Sequence, residues 1–197
     1  MDCLMCRALE AFVRDLHGAD AWQAALSAVG LVGPAGGPVR GYADTDAPGL
    51  ARAAAQRAGQ RPEELAGDLG CWLVSHPTTQ SIRRLLRFGG QDFAEFLATL
   101  EELPGRVALA VPMLRLPAME VCFAEDGGIS IDVAGGVDLF APVIEGVIRA
   151  MADDYGALVF VDRDQADPAG PARLTVRLHD AAFAEARLFR LVDGRAG

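Results

Sequence analysis

The stretch "AMEVCFAEDGGISIDV", residues 118–133, decides the fold class because hydrophobic side chains alternate on both sides of a glycine-containing turn. Alternation of apolar and polar residues is typical of a half-buried strand, and glycine after an acidic residue favours a tight turn between two strands. The stretch therefore predicts a β-hairpin that turns at Asp126, Gly127 and Gly128. The apolar positions of its two strands are Met119, Val121, Phe123, Ile129, Ile131 and Val133.

Upstream of the hairpin, apolar residues recur at helical spacing. The clearest segment is "QDFAEFLATLEEL", residues 91–103, whose apolar positions are three or four residues apart and predict a core helix. These positions are Phe93, Phe96, Leu97, Leu100 and Leu103. Pro104 and Gly105 follow, and because proline is tolerated in a first helical turn, we expect a new helical turn to begin there.

Downstream of the hairpin the pattern changes twice more. Residues 138–156, "DLFAPVIEGVIRAMADDYG", return to helical spacing, and residues 157–164 and 173–180 predict two further strands. Helices followed by strand, strand, helix, strand and strand imply an α+β fold with an antiparallel sheet. We expect one domain over residues 1–197, with a mainly helical subdomain at 1–90 and a helix plus antiparallel sheet at 91–197.

Composition and charge exclude several classes of protein. The chain has 197 residues, 51% of them hydrophobic, which is enough for a sizeable core, but no apolar run is long enough to span a bilayer. A net charge of -9 repels nucleic acid and anionic membrane surfaces. The N-terminus lacks the features of a secretory signal, so we expect a cytoplasmic protein.

No metal site or catalytic constellation is predicted. Cys3 and Cys6 form a C-x-x-C pair that fits half a zinc site or a redox pair, but the helical spacing around them favours ordinary thiols near a core. The carboxylate pairs Glu63-Glu64 and Glu101-Glu102 have the context of solvated helix faces. The three histidines, His17, His76 and His179, are scattered along the chain. We therefore expect a protein that is not an enzyme.

Several phrases resemble the heme nitric-oxide/oxygen-binding (H-NOX) domain family. They are "RALEAFVRDLHGADAW", "YADTD", "EELAGDLGCWLV", "LLRFGGQDFAEFLATLEEL", "VPMLRLPAMEV" and "PVIEGVIRAMADDYG", and they occur in the family's order. The resemblance implies a helical part and a sheet-bearing part with a heme between them. It also implies a sensor in signal transduction whose output passes to a separate protein.

The resemblance further implies that this chain is a degenerate member without the heme anchors. Pro104 matches the family's iron-ligating histidine, and Pro117 matches a proline that presses on the porphyrin. The Y-x-S-x-R motif that binds the heme propionates is replaced by Val133, Gly135 and Val137. The remaining matching positions of the heme site are Met5, Leu9 and Val74. We therefore expect no heme cofactor.

The sequence leaves the contents and the output of this pocket open. Side chains fill the former cavity, or the cavity persists for a small apolar ligand, or heme binds through a substitute ligand such as Met113, Met119 or Cys122. The main hypothesis is a heme-free sensor or regulatory protein whose partner is a histidine kinase or a diguanylate cyclase. The alternative is a true heme sensor of nitric oxide or oxygen. The C-terminal apolar residues pack back on the sheet or meet a partner; they are Phe183, Leu188, Phe189 and Leu191.

Overall fold

The computed structural model describes residues 3–32, 41–111, 114–124, 127–134, 139–164 and 171–179. These residues form an α+β fold, as predicted. The helices are α1 (Leu4–His17), α2 (Ala19–Ala28), α3 (Ala47–Ala58), α4 (Pro62–Ser75), α5 (Gln80–Arg87), α6 (Phe93–Ala98), α7 (Leu103–Ala110) and α8 (Phe140–Tyr155). Short 3-10 helices cover Asp44–Asp46, Pro77–Thr79 and Thr99–Glu102. The strands are β1 (Met119–Phe123), β2 (Gly128–Val133), β3 (Val159–Arg163) and β4 (Ala172–Leu178).

The predicted hairpin is confirmed, with β1 and β2 antiparallel and Met119 opposite Val133. The four strands form one antiparallel sheet in the order β1-β2-β4-β3. Ile129, Ile131 and Val133 are buried on the same face of β2, because side chains two residues apart point to the same side of a strand. Asp126, expected in the turn, lies outside the described residues.

Helix α8 lies at the centre of the fold. It packs against α4 and also contacts β3 and β4, and its residues 141–148 are all buried. A helical segment that is buried on all sides must be apolar almost throughout, and within residues 141–148 Glu145 is the exception. The Glu145 carboxylate is compensated by Arg149 at 2.6 Å and by Arg163 at 3.4 Å.

The contact between α4 and α8 depends on glycine. A Cβ atom added to Gly70 would overlap the backbone oxygen of Val143, and one added to Gly146 would overlap the backbone oxygen of Gly67. The two helix backbones therefore approach more closely than any side chain at these positions would allow. Between them, the Cys71 thiol donates to the Gly146 oxygen at 3.3 Å.

Both edges of the sheet are capped by charged side chains. At the β1 edge, the Val121 N–H donates to the Glu101 carboxylate at 2.6 Å. At the β3 edge, the Arg149 guanidinium donates to the Val161 oxygen at 3.2 Å. These bonds satisfy backbone groups that an edge strand otherwise presents to other chains.

The long helix expected at residues 91–103 is interrupted. Helix α6 ends at Ala98, a 3-10 turn covers Thr99–Glu102, and α7 begins at Leu103. Arg106 stabilises the interruption, because its guanidinium donates to the Thr99 oxygen at 3.1 Å and to the Thr99 hydroxyl at 3.3 Å. The apolar residues of the segment are nevertheless buried as predicted, since a 3-10 turn preserves a spacing close to three. Within the described ranges, no helix has both the length and the hydrophobicity needed to cross a membrane.

Candidate functional site

Pro104 lies in the first turn of α7, where a new helical turn was expected. It is half-buried, and its neighbours Leu103 and Val107 are buried in the core. A proline ring carries no side-chain lone pair, so this position cannot coordinate a metal. Gly105 faces open space, with no atom within 4 Å of the place its Cβ would take.

The sheet side of the candidate site is apolar where it is described. Val133 and Met119 are register partners on the core face of the hairpin, and both are buried. Pro117 is half-buried and lies just before β1. Gly135 and Val137 lie outside the described residues.

The helical side is formed by α1 and α4, which are in direct contact. Leu9 and Val74 are buried in the same continuous hydrophobic core as Met119 and Val133, and Met5 packs against that core. Helix α1 packs on α2, α3 and α4, whereas α7 packs on the 3-10 turn that precedes it. The structure therefore places four of the predicted positions, Met5, Leu9, Val74 and Val133, in or against one core. Pro104 lies on a different element from these four.

Glu101 is a structural residue that the sequence pattern does not reveal. Its position next to Glu102 indicated a solvated helix face, but its carboxylate accepts the Val121 N–H of β1. This bond ties the turn before Pro104 to the strand that carries Met119. The spacing of charges along a helix gives no signal of such a contact, because its partner lies in another element.

The histidines contact residues that lie outside α7. His76 stacks on Trp72 with ring centroids 4.7 Å apart, and its Nε2 lies 3.4 Å from the Asp15 carboxylate. His17 contacts the edge of Phe12, and His179 contacts Phe160 at the end of β4. Over the described ranges, no group of three or more histidine, cysteine, aspartate or glutamate side chains could hold a metal ion.

Three residues were expected as substitute metal ligands. Met119 is buried on the core face, whereas Cys122 is exposed and points to the opposite face of β1. Met113 lies outside the described residues. Met119 is therefore the one of the three that the structure places on the core face.

Both tyrosines of the chain are hydrogen-bonded elsewhere. The Tyr42 hydroxyl donates to the Glu10 carboxylate at 3.0 Å and accepts the Trp22 N–H at 3.2 Å. Burial, partly opposed by the Trp22 hydrogen bond and reinforced by Glu10, raises the pKa of Tyr42 to about 12. The Tyr155 hydroxyl donates to the Gly90 oxygen at 2.8 Å.

Cys3 and Cys6 are buried thiols, in agreement with their interpretation as core residues. The Cys6 N–H donates to the Cys3 sulfur at 3.2 Å, and the Cys6 thiol donates to the Ala43 oxygen at 3.6 Å. Burial, together with the neighbouring Cys3, raises the pKa of the Cys6 thiol well above its ordinary value. A thiol that stays protonated is a poor nucleophile and a poor metal ligand.

Sequence comparison identifies the family. The profile of the "Haem-NO-binding" family matches residues 3–162, which is most of the chain. The chain belongs to the Haem-NO-binding (H-NOX) family. Domains of this family are sensors rather than enzymes; they bind small gases and signal to partner proteins.

Solved H-NOX proteins share the fold. An H-NOX protein from S. oneidensis in the Fe(II)NO ligation state has a TM-score of 0.72 at 15% identity, with 91% of this chain and 100% of that chain covered. A variant of the T. Tengcongensis H-NOX protein has a TM-score of 0.66 at 14% identity, with 90% and 96% covered. An oxygen-binding H-NOX domain related to soluble guanylate cyclases has a TM-score of 0.64 at 15% identity, with 91% and 96% covered. The comparison with curated proteins gives no match.

Proposed function

We propose that this H-NOX protein is a sensor or regulatory protein that works without heme and acts in signal transduction through a separate partner. The observation that carries the proposal is the proline at position 104, in the first turn of α7. Heme iron in proteins is held by an axial side chain such as histidine, cysteine, methionine or tyrosine. The residue that matches the family's ligand offers none.

The environment of the sheet also supports a heme-free pocket. Heme propionates are anions, and an unpaired buried charge costs several kcal/mol even after the protein relaxes. Val133 is buried and apolar where the family motif has a polar residue. The nearby strand arginine, Arg173, is paired with Asp132 at 2.7 Å, and these two residues lie on the opposite face from Val133.

The visible spectrum of the purified protein tests the proposal. Cells that express the chain are supplied with heme, and an H-NOX protein known to bind heme is expressed in parallel as a positive control. We expect no stoichiometric Soret band from this chain. A band of one heme per chain that shifts with nitric oxide would refute the heme-free proposal.

A second test restores the iron ligand and the propionate-binding residues of the family. Pro104→His alone should give weak heme uptake, whereas Pro104→His combined with Val133→Tyr, Gly135→Ser and Val137→Arg should give more. The reason is that the single change supplies an iron ligand but leaves the propionates without partners. Equal uptake by the single and the quadruple variant would contradict the propionate argument.

A heme sensor with a substitute ligand is the alternative, and the burial of Met119 on the core face is the observation that favours it. It predicts a heme spectrum that changes in Met119→Leu but not in the control Met151→Leu, whose methionine is buried on α8. An unchanged spectrum in Met119→Leu removes Met119 as the ligand.

The output is proposed to pass to a histidine kinase or a diguanylate cyclase. The heme-free protein should change kinase autophosphorylation or cyclic di-GMP synthesis when it is added to its purified partner. The same result is expected with and without nitric oxide, because the proposed protein has no iron to bind the gas.

A cavity that persists between the two parts of the fold should bind a small apolar ligand, and the bound ligand should raise the melting temperature of the protein.

A further inference from the structure

Two exposed hydrophobic side chains, one just before β3 and one within it, lie on the outer face of the sheet. Leu158 is 56% exposed and Phe160 is 58% exposed, and their spacing of two residues puts them on the face opposite the buried Val161. We call Leu158 and Phe160 the β3 patch. Such a pair on an edge strand is the kind of surface that another segment or protein covers.

The rest of the outer face is polar. Arg173 holds Asp132 through two hydrogen bonds of 2.7 Å, and Thr175 lies opposite Ser130 on one side and Asp162 on the other. The apolar surface is thus confined to the end of the sheet where β4 finishes, beside Arg177.

The chain leaves the described fold at this patch. The His179 N–H donates to the Leu158 oxygen at 2.9 Å, and the His179 ring meets the edge of Phe160 at 5.9 Å. His179 is the last described residue, so residues 180–197 continue from a residue that itself contacts the β3 patch. This C-terminal segment contains five large hydrophobic residues, Phe183, Leu188, Phe189, Leu191 and Val192.

We propose that the C-terminal segment, residues 180–197, docks on the β3 patch of its own chain and covers Leu158 and Phe160. Phe183 is four residues beyond His179, and four residues of extended chain span at most about 14 Å, so the connection is long enough for Phe183 to meet Phe160 without any rearrangement of the sheet. Tethering also favours this occupant over a second molecule, because a short connection gives a high effective concentration. Charge agrees, since Glu185 can approach Arg177 and Arg187 can approach Asp162, both on exposed positions of the same face.

Limited trypsin digestion of the full chain tests the docking. Arg187 and Arg190 are cleavage sites inside the segment, and cleavage is slow when a segment is docked because it tracks the population of the open form. Phe160→Ser should accelerate cleavage at these two sites by about tenfold. The matched control is Phe123→Ser, which changes a phenylalanine of nearly the same exposure, 57%, on the opposite edge strand. The control should leave the rate unchanged.

A variant in the segment separates docking from folding. Phe183→Ser alters no residue of the described fold and should accelerate cleavage as much as Phe160→Ser does. The double variant should be no faster than either single variant, because both remove the same contact. Intact mass spectrometry over time gives the cleavage rates, and thermal melts show that the variants remain folded.

Two results would overturn the proposal. Equal cleavage rates in the wild type, Phe160→Ser and Phe183→Ser would show that the segment does not use the patch. Cleavage that slows as the protein concentration rises would show that the segment docks on a second copy of the chain. Acceleration in both single variants at all concentrations, with no further gain in the double variant, supports docking within one chain.

Discussion

Two connections between separate elements of the fold are built in different ways. Helices α4 and α8 meet through their backbones at Gly70 and Gly146, whereas the turn before α7 is joined to β1 by one carboxylate. A backbone contact of this kind has no room to adapt, because any added atom overlaps a carbonyl oxygen. A side-chain hydrogen bond at the surface can open and close at small cost. The α4–α8 contact is therefore the rigid connection, and the α7–β1 contact is the one that can yield.

The largest expected effect on stability comes from adding a methyl group at the contact between α4 and α8. Gly70→Ala or Gly146→Ala should lower the free energy of unfolding by about 3 kcal/mol, because the helices must separate to admit a methyl group. Chemical denaturation measures this loss. The matched control is Gly105→Ala in α7, where the new methyl group meets open space. There alanine should stabilise the helix by up to about 1 kcal/mol, and a loss at Gly105 equal to that at Gly70 would contradict the comparison.

The buried hydrogen-bond network of Tyr42 should give the next largest effect. Tyr42→Phe leaves the Trp22 N–H without its acceptor and removes one donor to Glu10, which keeps its ion pairs with Arg7 and Arg14. The change should cost about 1–2 kcal/mol. The pH dependence has a definite sign. The pKa of Tyr42 rises from 10.0 to about 12 on folding, so the folded protein holds the proton more tightly. The contribution of Tyr42 to the free energy of unfolding is therefore fully present below pH 10.0 and is lost as the pH rises toward about 12. In Tyr42→Phe this pH-dependent loss of stability should be absent, which chemical denaturation at a series of pH values measures.

A smaller effect on stability is expected at the hydrogen bond between Glu101 and β1. Glu101→Ala removes the acceptor of the Val121 N–H and should cost about 1 kcal/mol or less, because water replaces the carboxylate at this exposed edge. Hydrogen exchange at the Val121 amide should become faster. Glu102→Ala is the control, since Glu102 is an exposed neighbour in the same turn. Equal exchange rates in both variants would show that the Glu101 bond has no role in holding β1.

Thiol labelling reports the same difference, and its background variant, Cys122→Ser, has the smallest expected effect on stability. Cys122 is exposed and should react quickly with a maleimide, whereas Cys71 should react slowly because burial raises the pKa of its thiol. Cys122→Ser should change stability by less than about 0.5 kcal/mol and leave only slow labelling. In that background, Gly70→Ala should accelerate the labelling of Cys71. Unchanged labelling would mean that the added methyl group does not open the α4–α8 contact.

The sequence predicts the parts of this structure that depend on local periodicity. The hairpin from Met119 to Val133, its place after a helical half and the helical turn at Pro104 all follow from spacing and from the restricted backbone of proline. The family assignment follows from phrases kept in order along the chain. The hairpin and the turn at Pro104 are local features, so a single segment contains all the information required for each.

Contacts between distant segments could not be predicted in this way. Nothing in the spacing of Glu101 indicates a bond to Val121, and Gly146 alone does not reveal that Gly67 lies against it. Both contacts depend on how separate elements are placed in three dimensions. The same limit applies to the candidate site, where the sequence predicted apolar positions but not that Met119 would lie opposite Val133 on the core face.

The charged caps on the two edges of the sheet affect how the protein behaves in a crowded solution. A strand from a neighbouring molecule would have to displace the Glu101 carboxylate from β1 or the Arg149 guanidinium from β3 before it could pair. Each displacement leaves a polar group to find a new partner, which adds a small cost to pairing between the strands of two molecules. The two caps therefore oppose edge-to-edge pairing between molecules when the protein is concentrated.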